Sequence, residues 1–172
     1  MKSNIQGKSK ISNQKSQIQN FFAESEADTV RLGRALAAVL TPGTVVALVG
    51  NLGAGKTRLV QAIAAGMGVD ERTVNSPTFV LIQEYEGRLP LYHFDTYRLR
   101  DTDDFLELGA EELLAADGVC LIEWADRVDE VLPADLLRIE IEITGETARL
   151  FRLTATGKKT AELIADLRSK LT

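Results

Sequence analysis

Cysteine and histidine are nearly missing from this chain. A single cysteine, Cys120, leaves no partner for an intramolecular disulfide, and its apolar neighbours mark it as a buried thiol. A single histidine, His93, argues against a multi-histidine metal site and against a serine-type triad with a histidine to spare. Long apolar runs are also lacking, and none approaches the ~20 residues of a membrane span. The first residues have no apolar stretch of the secretory type and no arginine of the transit-peptide type, so a cytoplasmic protein with no membrane partner is expected. Basic charge is in deficit, with 20 Lys and Arg against 25 Asp and Glu and a net charge of −5. That balance argues against a generally basic nucleic-acid-binding surface, so a role in a nucleic-acid pathway would run through a partner protein.

The 172 residues suit one domain with a sizeable core. Residues 1 to about 20 are rich in Lys, Ser, Gln and Asn, without an acidic or aromatic residue. Such a composition does not offset ordering entropy, so a flexible basic extension is expected there, with the fold beginning near Phe21 and running to Thr172.

The chain is organised around Gly50-Asn51-Leu52-Gly53-Ala54-Gly55-Lys56-Thr57, which fits the phosphate-binding pattern G-x-x-x-x-G-K-[ST] at every fixed position. Thr44 to Val49 reads as a buried strand before it. A helix reads from Thr57, with Leu59, Val60, Ile63, Ala64 and Met67 on one side until Gly66 and Gly68 break it. Glycines at 50, 53 and 55 let the loop take unusual backbone angles and turn its N–H groups inward around a polyphosphate. Lys56 would reach the β- and γ-phosphates, and the Thr57 hydroxyl would ligate Mg²⁺.

Ahead of this loop, Ser25-Glu26-Ala27-Asp28 resembles a capping box opening a helix that Pro42-Gly43 ends. A segment in that position is placed to pass near a bound base, which makes Glu26 and Thr29 weak candidates for nucleotide contact, although residues so placed are more often simply cap and surface. After the loop, Pro77 stiffens Asn75-Ser76-Pro77-Thr78. Thr78 stands where many phosphate-loop NTPases keep a switch threonine; a loop hydroxyl capping its own backbone is the alternative. A hairpin follows, with strands at Phe79 to Tyr85 and Leu91 to Phe94, which predicts a mixed sheet. Asp95, at the end of an apolar strand, is placed to meet Mg²⁺ or an attacking water, and His93 should share its face. Asp101 to Asp117 is acidic and helical in pattern. Val119-Cys120-Leu121-Ile122-Glu123-Trp124 then reads as a buried strand delivering Glu123 to the end where open α/β sheets bind ligands. There Glu123 would hold Mg²⁺, directly or through water, opposite Thr57. A second hairpin (137–153) and a terminal amphipathic helix (160–171) carry no visible chemistry. The fold expected is an α/β, P-loop NTPase-like three-layer arrangement with a mixed central sheet flanked by helices.

Taken together, the phosphate loop, Ser76-Pro77-Thr78-Phe79, His93-Phe94-Asp95-Thr96-Tyr97-Arg98-Leu99, Leu108-Gly109 and Ile122-Glu123-Trp124 resemble the TsaE (YjeE) family in order and spacing, over about Phe21 to Leu153. The phosphate loop is generic; the H-F-D-x-Y-R-L and E-W blocks together are specific. The resemblance implies an ATPase of bacterial tRNA threonylcarbamoyladenosine synthesis, working with TsaD and TsaB on tRNAs that read ANN codons, with TsaC or a homologue supplying threonylcarbamoyl-adenylate. It implies that ATP hydrolysis resets the transferase complex between turnovers, and that tRNA is met through the complex. It places the Mg²⁺ ligands on Thr57 and Glu123, the important aspartate on Asp95, the loop lysine on Lys56 and the tryptophan on Trp124. The family usually has an acidic residue where this chain has Asn51. Arg98 and Arg127 are candidates for an arginine finger. Two further functions share the loop: a small-molecule kinase, for which no lid segment is visible, and an adaptor that uses ATP only to assemble a complex. The sequence leaves the oligomeric state open.

Overall fold

The computed structural model describes residues 17–172. Most of the basic extension expected at the start lies outside the described residues. Its last part does not behave as a tail: β1 (Gln17–Ala23) pairs antiparallel with β7 (Arg149–Ala155), from Gln17 opposite Ala155 to Ala23 opposite Arg149. Side-chain composition is a poor guide there because an edge strand is held by its backbone ladder, and Ile18 and Phe22 can stay exposed. The fold therefore begins before Phe21.

At the centre runs β2 (Val45–Gly50), buried on both faces. It pairs parallel with β5 (Val119–Glu123) on one side and β6 (Leu137–Ile143) on the other, and β5 pairs parallel with β4 (Pro90–Asp95). Antiparallel partners flank this parallel core: β3 (Ile82–Glu86) on β4 at one edge, and β7 on β6 with β1 outside it at the other. The sheet order is β1-β7-β6-β2-β5-β4-β3, the mixed sheet expected from the hairpins. Period-two alternation sends Val46 and Leu48 to one face and Val45 and Ala47 to the other. On the first face pack α1 (Glu26–Val39), α2 (Lys56–Gly66) and α5 (Lys158–Leu171), through Leu32, Leu36, Leu59, Ile63 and Ile164. On the second lie α3 (Thr102–Glu107) and α4 (Ala110–Leu114), with Phe105 against Phe94 and Ile122.

Helix α1 opens as the sequence suggests, with the Asp28 carboxylate accepting from the Ser25 N–H at 3.2 Å and the Ser25 hydroxyl at 3.1 Å. Helices α1 and α2 lie nearly in backbone contact: a Cβ at Gly33 would stand 2.4 Å from that of Ala62.

Two elements differ from the sequence pattern. The acidic stretch 101–117 is two short helices because Gly109, at φ +78°, turns the chain between them. The strand expected from Phe79 starts only at Ile82, since Leu81 at φ +72° breaks the extended run and leaves Phe79 and Val80 exposed.

Cys120, on central strand β5, is buried and desolvation pushes its thiol up to about 12. It should resist thiol reagents at mildly alkaline pH in the folded protein and react at the rate of a free thiol once denatured. A thiol titration with and without denaturant checks this; fast labelling of the native chain would contradict the buried strand.

Candidate nucleotide site

Register places the chemistry. Strands β2, β5 and β4 run parallel, with Leu48 opposite Glu123 and Glu123 opposite Asp95, so the three strands end together. The loop 50–57 leaves β2 at that edge, and α2 begins at Lys56. Lys56, Thr57, Asp95, Glu123 and Trp124, with Gly53 and Gly55, line one cavity of about 400 Å³ at the carboxyl ends of the strands.

The three glycines serve different ends. Gly53 (φ +77°) and Gly55 (φ +106°) hold left-handed conformations that a side chain would strain. Gly50 is there for space: a Cβ would come within 2.8 Å of the Ile141 carbonyl oxygen on β6. Leu52, at the tip of the loop, is 80% exposed.

Lys56 is almost fully buried. Its Nζ donates to the Gly50 carbonyl at 2.6 Å and the Asn51 carbonyl at 3.0 Å, and stands 3.8 Å from the Trp124 ring centroid. Burial holds its pKa below the ordinary lysine value, against the opposing pull of Glu123, Asp95 and Asp126. An ammonium has three donors, so one remains for an anion.

Thr57 Oγ1 donates to the Glu123 carboxylate at 2.9 and 3.1 Å. Glu123 is held from behind by His93, which is fully buried, with Nε2 2.7 Å from Glu123 Oε1. A carboxylate only accepts, so Nε2 is the donor in this pair; Nδ1 has no hydrogen-bond partner. His93 does share the face of Asp95 and orients the acid on the neighbouring strand. This oxygen pair suits Mg²⁺. Adjacent ligands on an octahedral Mg²⁺ with bonds of about 2.1 Å stand about 3 Å apart, and the ion takes few protein ligands beside phosphates and waters. Among the described residues no group of three or more His, Cys, Asp or Glu is placed to hold a metal ion.

Asp95 is engaged with the loop that follows α2. Its Oδ2 accepts from Ser76 Oγ at 2.7 Å and Thr78 Oγ1 at 2.9 Å, and its Oδ1 from the Tyr97 N–H at 2.9 Å. Three of a carboxylate's roughly four acceptor sites are thus used. Thr78 is a ligand of Asp95, which links the 76–78 segment to the site. Trp124, directly after Glu123, has φ +58° and packs on Tyr97 at 4.8 Å. A left-handed non-glycine residue at that point is strain held next to the functional edge.

Glu26 and Thr29 border a second, smaller space of about 170 Å³ beside the loop, together with Ala54, Gly55 and the turn before β7. Glu26 makes an ion pair with Arg58 at 2.6 Å rather than an aligned hydrogen bond, and Arg58 also faces Glu71 at 3.6 Å. Arg98 and Arg127 do not line the main cavity. Arg98 covers the Phe79 ring at 4.1 Å, and Arg127 lies near the Tyr97 ring at 5.2 Å. Arg58, which does line it, is not singled out by the sequence; its place directly after Thr57 in the first turn of α2 was the available signal.

A parallel core with a glycine loop, a buried lysine and two strand-end carboxylates at one edge defines a P-loop NTPase-like α/β protein. The sequence model of the family described as "Threonylcarbamoyl adenosine biosynthesis protein TsaE" matches residues 23–151. The tRNA threonylcarbamoyladenosine biosynthesis protein TsaE of Bacillus subtilis is 43% identical over 141 residues, covering 81% of this chain and 87% of that one. Its counterpart in Treponema pallidum is 42% identical over 127 residues, covering 74% and 93%. The crystal structure of Bacillus subtilis YdiB superposes with a TM-score of 0.80 at 35% identity, covering 91% of this chain and 98% of that one. The chain belongs to the TsaE family, whose role lies in tRNA threonylcarbamoyladenosine biosynthesis. Among the described residues no helix is long and apolar enough to cross a membrane.

Proposed function

We propose that the chain is an Mg²⁺-dependent ATPase that supports the TsaB–TsaD threonylcarbamoyl transferase complex. The convergence of Lys56, Thr57, Asp95 and Glu123 on one cavity carries this reading. The loop N–H groups and the start of α2 receive the phosphates, and the third donor of Lys56 reaches the β- and γ-oxygens. Thr57 and Glu123 would hold Mg²⁺, which when bound would supply positive charge to the phosphoryl oxygens, while His93 keeps Glu123 aimed. The remaining acceptor site of Asp95 orients the lytic water, so the 76–78 segment bound to the same carboxylate reports on the state of the site. Glu26 and Thr29 border the space where the base would lie. Catalysis on this reading is positioning and electrostatics, with no covalent step on the protein.

Phosphate release from ATP by the purified chain, with Mg²⁺ and with a chelator, tests the reaction class. Release that requires Mg²⁺ and water alone as acceptor is expected. Transfer of the phosphoryl group to a metabolite without release would replace the ATPase by a kinase.

A further inference from the structure

Arg149 belongs to no motif in the sequence, yet it joins two parts of the site. Because Gly50 on β2 is opposite Ile141 on β6, the turn between β6 and β7 lies level with the phosphate loop. Arg149 opens β7 after that turn and spends its guanidinium on main-chain oxygens of both. Nε donates to the Ala54 carbonyl at 2.9 Å and Nη2 to that of Gly53 at 3.2 Å. Nη1 donates to the Ala148 and Gly145 carbonyls of the turn at 2.9 and 3.1 Å. The same turn is tied to the residue chain ahead of α1, through Thr147 Oγ1 on the Glu24 carbonyl at 3.1 Å.

We propose that Arg149 is the positioning residue of the phosphate loop. A trans peptide is planar, with C=O and N–H pointing opposite ways. Holding the Ala54 carbonyl outward therefore aims the Gly55 N–H inward. The flanking groups are tied within the loop and helix, the Ala54 N–H to the Asn51 carbonyl and the Gly55 carbonyl to the Leu59 N–H, both at 3.0 Å, and Arg149 holds the plane between them. The glycines on either side leave that plane little steric restraint, since a Cβ on Gly53 or Gly55 would meet no atom within 4 Å. Without the clamp the loop must be ordered when the phosphates arrive, and affinity is lost. Lysine cannot replace it, since an ammonium lacks the fork that reaches two loop carbonyls and the turn together.

This rests on the nucleotide-site reading, and the test separates the two. MgADP binding is measured by calorimetry on wild type, Arg149→Ala and Arg149→Lys, with a melting curve for each. Wild type binds, Arg149→Ala binds roughly tenfold or more weakly, and Arg149→Lys recovers less than half of the loss on a logarithmic scale. In turnover KM rises more than kcat falls, because the loop binds ground and transition states alike. Wild-type affinity in a folded Arg149→Ala, or full recovery by lysine, overturns this inference alone. A wild type that binds no MgADP overturns the nucleotide reading with it. Should Arg149→Ala not melt cooperatively, Arg149→Lys carries the test with the same readout.

Discussion

Lys56→Ala should lower ATP hydrolysis by on the order of a hundredfold or more, the scale expected when one preorganised charge on the reacting group is removed. The fold should survive. Burial already disfavours the charged lysine, as its lowered pKa records, so its removal relieves desolvation while losing the two carbonyl hydrogen bonds and the contact with Trp124. Melting curves and turnover on the same preparation separate the two effects. Undiminished hydrolysis would remove the loop from the mechanism. The lowered pKa also sets a pH dependence: nucleotide affinity should begin to fall at a lower pH than an ordinary lysine would dictate, since the charge is lost as pH rises through the depressed value.

Glu123→Gln should uncouple nucleotide from metal. The amide keeps the shape of the buried side chain and still accepts from His93 Nε2, but it has no charge for Mg²⁺. Binding without Mg²⁺ should stay close to wild type, the tightening that Mg²⁺ brings should vanish, and hydrolysis should fall on the order of a hundredfold. Titrating Mg²⁺ against bound nucleotide reads this directly. An unchanged Mg²⁺ requirement would move the metal to other oxygens, with Asp95 the nearest acid at the same edge.

The strand–loop–helix unit was legible because each level of its sequence agrees: a β-branched apolar run, spaced glycines, then a helical stripe. Asp95 and Glu123 were legible for a related reason, each closing a short apolar strand, and parallel register then aligned them. What was not legible depends on contacts between segments distant in the chain. The partnership of His93 with Glu123 spans 30 residues and needs two parallel strands in register before it exists. Arg149 meets Ala54 across 95 residues, through a strand order that no local pattern displays. Leu81 and Trp124 hold positive φ without being glycine, so the turn at 79–81 looked like strand. The strand at 17–23 turns Ile18 and Phe22 outward and owes its place to backbone pairing with β7, which composition does not report.

Multiple turnover of the transferase tests an ATPase role most directly. Threonylcarbamoyladenosine formed on tRNA is counted per TsaB–TsaD complex, with TsaC supplying the adenylate, in the presence of this chain and ATP. If hydrolysis resets the complex, as the family resemblance implies, many products per complex are predicted with the wild-type chain, and about one with Lys56→Ala or a non-hydrolysable ATP analogue. Equal product in all three reactions would contradict an ATPase role and leave the chain an assembly factor.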